Sequence, residues 1–351
     1  MSCKHPLKAW CIGEHPSGKP KYKITSYDAI YLIKNNNDEY VPCFQENLAD
    51  FALPRITEFI EIPCGHCIGC RLDYSRTWAN RCMMELKYHD TACFLTLTYD
   101  DKHLPPRNMI VDLDGVVSES PVHPLVKRDI QLFVKRLRKH YPEVKLRYYA
   151  AGEYGSLSVR PHYHMILYGV DFSEDRTIYK RTRAGFYLYN SKTLDKLWSV
   201  NGEQLGYAVV ADVSWDTCAY VARYCTKKVG NSDKNIYKDY AIPREFTLMS
   251  RKPGIARQYY EDHKDSIYRY DNITLGTNEG SISFKPPRYF DMLYDYEYPS
   301  ELEQIKGLRK EIGEETAKMK LNFTTLSYLD MLQSEEDNHL SRIKALSRKE
   351  V

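Results

Sequence analysis

The spacing of hydrophobic and polar positions changes period several times along the chain, and the changes mark out elements. Leu95, Leu97 and Tyr99 alternate with Thr96 and Thr98 in a run rich in β-branched and aromatic residues. This predicts a strand over 92–99, ended by Asp100-Asp101 and the turn-forming Pro105-Pro106. Residues 107–124 read as a loop or hairpin turning at Asp114-Gly115. Over 125–140 the period becomes helical: Ile130, Phe133, Val134 and Leu137 share one side, basic residues take the rest, and Pro142 ends the helix. Strands are expected over 146–151 and 162–168, separated by Gly152-Glu153-Tyr154-Gly155 and a polar turn running to Pro161. Alternation returns over 207–213. A helix follows over 217–229, where Tyr220, Val221, Tyr224 and Cys225 fall at i, i+1, i+4 and i+5. Further helices are expected over 71–88 and 194–198. Residues 1–60 mix polar turns with short extended stretches, and beyond Ser300 the chain is charged and helix-favouring. The expected division is an N-terminal extension over 1–90, a central domain over 91–260, and a largely helical tail over 261–351.

Composition narrows the class. With 43% hydrophobic and 28% charged residues among 351, the chain falls near the averages for globular proteins, not disordered or fibrous ones. Apolar runs are only a few residues long, far below the roughly 20 that a membrane helix needs. The opening Met1-Ser2-Cys3-Lys4-His5-Pro6 has no apolar core of a secretory signal. A soluble protein acting in a cytoplasm is therefore expected. Net charge is only +3, from 50 basic and 47 acidic residues, yet it is unevenly spread. Between Leu125 and Arg147 eight Lys/Arg face two acidic residues, a local balance of +6. Lys135, Arg136 and Lys139 in that stretch are candidate phosphate contacts, as are Arg251 and Lys252 in the basic turn Met249-Ser250-Arg251-Lys252-Pro253-Gly254.

Ten cysteines in a large chain without a signal peptide argue against a disulfide framework. Three of them, in Cys64-Gly65-His66-Cys67-Ile68-Gly69-Cys70, stand at metal-ligand spacing, with glycine allowing the tight turn. A structural zinc ion would need a fourth ligand from among Cys3, His5, Cys11 and His66; reduced, unligated thiols are the plainer alternative.

Two further groups carry chemistry. In Pro161-His162-Tyr163-His164, residues i and i+2 of a strand project to one face, so two imidazoles stand side by side. Taken alone, such a pair is more often two hydrogen-bonded strand histidines. Glu153, nine residues upstream, would be brought beside them by a hairpin, giving two nitrogen ligands and one oxygen. Phosphate oxygens in the open positions would make Mg2+ or Mn2+ suitable. In Tyr220-Val221-Ala222-Arg223-Tyr224-Cys225-Thr226-Lys227-Lys228, two phenols lie one helical turn apart, with Arg223, Lys227 and Lys228 nearby. Thirty tyrosines make a chance i, i+4 pair common, so this helix gains meaning only beside the histidine strand.

In that combination the chain resembles the rolling-circle replication initiators, the HUH (His-hydrophobe-His) endonucleases. The motifs follow in order: Phe94-Leu95-Thr96-Leu97-Thr98-Tyr99, then Gly152-Glu153-Tyr154-Gly155 with Pro161-His162-Tyr163-His164, then the tyrosine helix. The cysteine segment and the Met249–Gly254 turn are similar to those of initiators of small single-stranded DNA phages, the gokushovirus branch of the microviruses. The likeness covers about residues 60–260. It implies an α+β fold with a central antiparallel sheet flanked by helices, of the ferredoxin-like or RRM-like kind. It further implies His162, His164 and Glu153 as ligands of Mg2+ or Mn2+, and Tyr220 and Tyr224 as nucleophiles assisted by Lys227. Arg223 and Lys228 would hold DNA. Arg223 stands where the family often has Lys, so Tyr224 with Lys227 is the preferred first nucleophile. The implied partners are an origin in single-stranded DNA and the host's helicase and polymerase, in a bacterial cytoplasm. No Gly-x4-Gly-Lys-Ser/Thr loop is present, so strand separation would fall to another protein. The rival readings are a plasmid relaxase or transposase of the same superfamily, and a non-catalytic zinc-dependent nucleic-acid-binding protein.

Overall fold

The computed structural model describes residues 3–47, 53–112, 114–155, 158–182, 185–224, 236–277 and 280–346. Two compact units arise, one from residues 1–73 and 307–351 and the other from 74–306.

In the first unit β1 (Leu7–Glu14), β2 (Pro20–Ser26), β3 (Tyr31–Lys34), β4 (Tyr40–Cys43), β5 (Arg55–Ile56) and β6 (Ile60–Ile62) form two small antiparallel sheets, ordered β2-β1-β6 and β4-β3-β5. The irregular extension expected over 1–60 is thus largely strand. Its strands are short, and β2 shows one buried residue in seven, so no period-2 pattern betrays it. Trp10, Ala29 and Leu32 are the buried centre of this unit's apolar cluster.

Helix α1 (Ile68–Leu86) runs from the cysteine segment into the second unit, ahead of β7 (Ala92–Thr98). The hairpin β8 (Met109–Val111) and β9 (Val117–Glu119) turns at Gly115, whose φ of +80° suits glycine. Then come α2 (Lys127–His140), β10 (Arg147–Tyr154), β11 (Pro161–Tyr168), β12 (Thr177–Arg181), β13 (Tyr187–Asn190) and α3 (Lys192–Leu197). The short β14 (Ser199–Val200) and β15 (Glu203–Gln204) precede β16 (Ala208–Asp212), α4 (Trp215–Tyr224), α5 (Ile236–Asp239) and β17 (Phe246–Met249). The chain closes with α6 (Arg257–Tyr270), hairpin β18 (Ile273–Thr277) and β19 (Gly280–Phe284), α7 (Arg288–Glu297), α8 (Pro299–Leu321) and α9 (Tyr328–Leu346).

Seven strands pair antiparallel in the order β12-β13-β16-β7-β11-β10-β17, the α+β arrangement expected. Strand alternation divides the core between the two faces of this sheet. Tyr163, Met165 and Leu167 of β11 point one way, into a cluster with Ile130, Phe133, Val134 and Leu137 of α2 and with Leu194 and Leu197 of α3. Ile166 and Tyr168 point the other way, against Ala79 and Cys82 of α1 and Cys218, Ala219, Val221 and Ala222 of α4. Small residues on α4 let it lie close to the sheet. Helix α2 has no side-chain N-cap of its own; the Tyr163 and Tyr154 hydroxyls accept from the Val126 and Leu125 amides at 2.9 and 3.1 Å instead.

A buried ion network ties α1 to the sheet. The Glu85 carboxylate accepts from Arg147 and, at 2.6 Å, from the Ala256 amide; the His89 imidazole lies 3.1 Å from it. Burial would raise the Glu85 carboxyl, but those donors and the Arg147 charge hold it below its ordinary value. The Arg147 guanidinium also donates to the Pro253 carbonyl at 3.0 Å, fixing the turn before α6.

Candidate metal centres and active site

Strand register builds the first cluster. On β11, His162 and His164 share the face that α4 covers farther along; Glu153 on β10 stands opposite His162, while Thr98 and Thr96 on β7 stand opposite His162 and His164. The hairpin brings the carboxylate to the imidazoles. Glu153 Oε1 lies 2.6 Å from His162 Nε2 and 3.1 Å from His164 Nε2. One ligand atom from each residue falls within 4.8 Å of the others. Burial raises the Glu153 carboxyl, yet the two imidazoles overcome this and hold it below the usual carboxylate range.

The remaining ring nitrogens are held from behind. His162 Nδ1 sits 3.1 Å from the Arg160 carbonyl oxygen, which accepts its proton and leaves Nε2 facing the cluster. His164 Nδ1 sits 3.1 Å from the Thr96 hydroxyl. Phe94 stacks on His164 with ring centroids 5.4 Å apart at 23°. Two oriented imidazoles and a buried carboxylate fit a divalent ion that keeps open positions for oxygen ligands.

Helix α4 brings Tyr220 to the same place. Its ring centroid is 5.1 Å from that of His164 and 6.2 Å from that of Phe94, and the residue is 37% exposed. Cys218, Ala219, Val221 and Ala222 face the sheet and set this rotation of the helix. The side chains of Arg223 and Tyr224, together with Lys227 and Lys228, lie outside the described residues.

The other candidate DNA contacts are not gathered here. Lys135, Arg136 and Lys139 belong to α2, on the opposite face of the sheet, and the Arg136 guanidinium donates to the Leu197 carbonyl at 2.7 Å. Arg251 and Lys252 are exposed on the turn after β17. Tyr149 pairs with Met249, so this turn lies beyond a point four residues, about 13 Å, along β10 from Glu153. Amphipathic patterning shows that α2 buries one side but not which face of a sheet it covers.

The second cluster completes the cysteine motif. Cys3, Cys64, Cys67 and Cys70 bring their sulfurs within 4.8 Å of one another, so of the four candidate partners it is Cys3 that joins. The Cys64–Cys70 and Cys67–Cys3 separations are 4.0 and 3.9 Å. Four thiolates at about 2.3 Å from one tetrahedral ion stand about 3.8 Å apart, which these spacings match and a disulfide does not. Amides of Lys4, Cys64 and His66 donate to Cys67, Cys3 and Cys64 at 3.2, 3.3 and 3.4 Å. Burial opposes ionisation of Cys67, but its amide and thiol donors bring it down to about 7, while burial pushes Cys3 up to about 11. Around the cluster, Glu335 and Glu336 of α9 engage Lys4, His5 and the Ile68 amide.

Sequence reasoning missed Phe94 and Thr96 as supports of His164. Both lie on the side of their strand away from Leu95 and Leu97, where alternation alone names no partner. It also had no means of choosing Cys3.

A central antiparallel sheet with a Glu/His/His cluster on one face, met by a tyrosine-bearing helix, describes the rolling-circle initiator class of phage replication proteins. The chain belongs to the replication-associated protein ORF2 family, whose profile matches residues 92–229. It is 31% identical over 294 residues to the replication-associated protein ORF2 of Spiroplasma virus 4, covering 82% of this chain and 85% of that one. The replication-associated protein VP4 of Bdellovibrio phage phiMH2K is 27% identical over 328 residues, 91% of this chain and 85% of the relative. Replication-associated protein ORF4 of Chlamydia phage 1 is 30% identical over 238 residues, 65% and 52% of the two chains. These sources are consistent with a microvirus-type initiator of phage replication. No solved structure matches the chain. No helix among the described residues is long and apolar enough to cross a membrane.

Proposed function

We propose that this initiator nicks single-stranded phage DNA at the replication origin through a covalent tyrosyl intermediate and later rejoins it. The observation that carries the proposal is the Tyr220 ring at 5.1 Å from His164, whose Nε2 is turned toward Glu153. A phosphodiester set between the phenol and the cluster would meet a nucleophile on one side and ligand positions on the other. Held by His162, His164 and Glu153, Mg2+ or Mn2+ would act as a Lewis acid on a non-bridging phosphate oxygen.

The phenol oxygen attacks phosphorus in line, forming the phosphotyrosyl bond to the 5′ side as the bond to the 3′ oxygen breaks. The phenolic proton leaves and the 3′ oxygen ends as a hydroxyl, with no nucleotide consumed. That hydroxyl primes synthesis by a host polymerase, with a host helicase separating strands. Lys227 and Arg223 supply cations for the phenolate and phosphate. Tyr224, one turn from Tyr220, cuts the regenerated origin, after which the freed 3′-hydroxyl attacks the first phosphotyrosine and closes the circle. Contact with His164 supports Tyr220 as the first nucleophile, in place of the Tyr224 preferred from the sequence pattern. The four-cysteine cluster holds structural zinc, and the protein works in the host cytoplasm. Lys228, Lys135, Arg136, Lys139, Arg251 and Lys252 extend contact with DNA away from the reaction.

Incubation with origin-containing single-stranded oligonucleotides and Mn2+ tests the reading: wild type should form a covalent protein–DNA adduct. Tyr220→Phe should lower its rate at least a hundredfold, and Tyr220→Phe with Tyr224→Phe should abolish it. An adduct that persists in the double variant refutes the nucleophiles. Metal-retaining protein that binds DNA but never forms an adduct is instead a non-catalytic binding module.

A further inference from the structure

One row of cross-strand neighbours continues past the metal cluster. Glu153 stands opposite His162, and His162 opposite Thr98. The Thr98 amide then donates to the Tyr207 carbonyl at 2.9 Å, extending the β7–β16 ladder one residue before β16 begins. Ala208 and Val210 enter the core under α2, whereas Ala211 enters the core under α4. By alternation Tyr207 therefore shares the face of the histidines. Two interstrand spacings separate it from His162, about 10 Å.

The backbone of Tyr207 is fixed in place. Its carbonyl also accepts from the Thr98 hydroxyl at 3.0 Å, and the Trp198 indole donates to the Thr98 carbonyl at 2.8 Å. Gly206 has φ +153°, and a Cβ there would lie 2.4 Å from the Asp100 nitrogen and 2.5 Å from the Thr98 oxygen. Only glycine permits such close approach of the two strands. On this rigid mount the Tyr207 side chain is 76% exposed, and no hydrogen bond or ring contact to it is found among the described residues. A large ring held still in water beside a phosphate-type site has the geometry of a stacking platform.

We infer that Tyr207 stacks on an unpaired base flanking the phosphate that the Glu153/His162/His164 cluster receives. The inference rests on the proposed strand-transfer reading and adds the subsite that positions the substrate. Recognition of this kind uses the π-face common to all bases, so it tolerates sequence. The carbonyl, not the ring, carries the strand contacts, so replacing the side chain leaves the ladder intact.

Two measurements test it, both in the Tyr220→Phe, Tyr224→Phe background, so that binding is read without chemistry. Anisotropy with a fluorescein-labelled dT12 should show affinity falling about tenfold in Tyr207→Ala, and staying within twofold of its parent in Tyr207→Phe. Photocrosslinking of a bromodeoxyuridine 12-mer should map to the peptide containing Tyr207 and vanish in Tyr207→Ala. Equal affinity and crosslinking in Tyr207→Ala overturns the platform, as does a tenfold loss in Tyr207→Phe, which would point to the hydroxyl. A wild-type chain that forms no adduct fails the strand-transfer reading, while both Tyr207 measurements still give their answer.

Discussion

Removal of one thiol from the four-cysteine cluster is expected to unfold the smaller unit selectively. In zinc-finger peptides a structural zinc ion contributes an apparent 10–16 kcal/mol near neutral pH, roughly. The apolar alternative is modest. Trp10 and Leu32 are the large side chains at the buried centre of this unit's cluster, and at about 1.5–3 kcal/mol each they supply some 3–6 kcal/mol. The ion therefore outweighs the core, as in other small units. Cys3→Ser removes the ligand nearest Cys67, at 3.9 Å, and the only one contributed from before β1. Metal analysis of wild type should give one zinc per chain bound at the cluster, and cobalt substitution should produce thiolate charge-transfer absorption. In Cys3→Ser the stoichiometry should drop, and limited proteolysis should cut within residues 7–62 while 74–306 resists. Chelation of wild type should reproduce that pattern. Zinc-free protein in which 7–62 resists protease as well as the loaded form does would refute the reasoning.

Thr96→Val removes the hydroxyl behind His164 Nδ1 while keeping shape, and should raise the Mn2+ concentration for half-maximal adduct formation 10- to 100-fold; an unchanged requirement would show that the hydroxyl does not orient the ring. Glu85→Gln leaves Arg147 buried without its charge partner and should cost about 3 kcal/mol in denaturant unfolding. Because the Glu85 carboxyl is held below its ordinary value in the folded chain, its stabilisation is complete above the usual carboxylate range and is lost as pH falls through the depressed value. Wild-type stability should thus fall toward acid more steeply than that of Glu85→Gln, and parallel profiles would contradict the assignment.

Some of this site was legible before any coordinates. Antiparallel hairpins pair residues by counting back from the turn, so nine residues between Glu153 and His162 already favour their meeting. His162 and His164 share a face because side chains on a strand alternate with period two. The strands at 92–98, 147–154 and 161–168 and the helix at 127–140 are long and strongly patterned, so local periodicity located them to within a few residues. The strands over 7–62 are short, and several expose most of their side chains, so no period marks them.

Chain order and local spacing set the ligand types, the hairpin that unites Glu153 with the histidines, and the amphipathic face of α2. Tertiary packing decided matters that depend on which surfaces meet. It placed α2 and its cations behind the sheet, because either face could have received the same apolar stripe. It chose Cys3 across 61 residues from Cys64, a distance over which sequence spacing carries no geometry. It rotated α4 so that Val221 and Ala222 enter the core and Tyr220 is left at His164, since a helix's orientation follows from the close packing of its small residues and not from its own period.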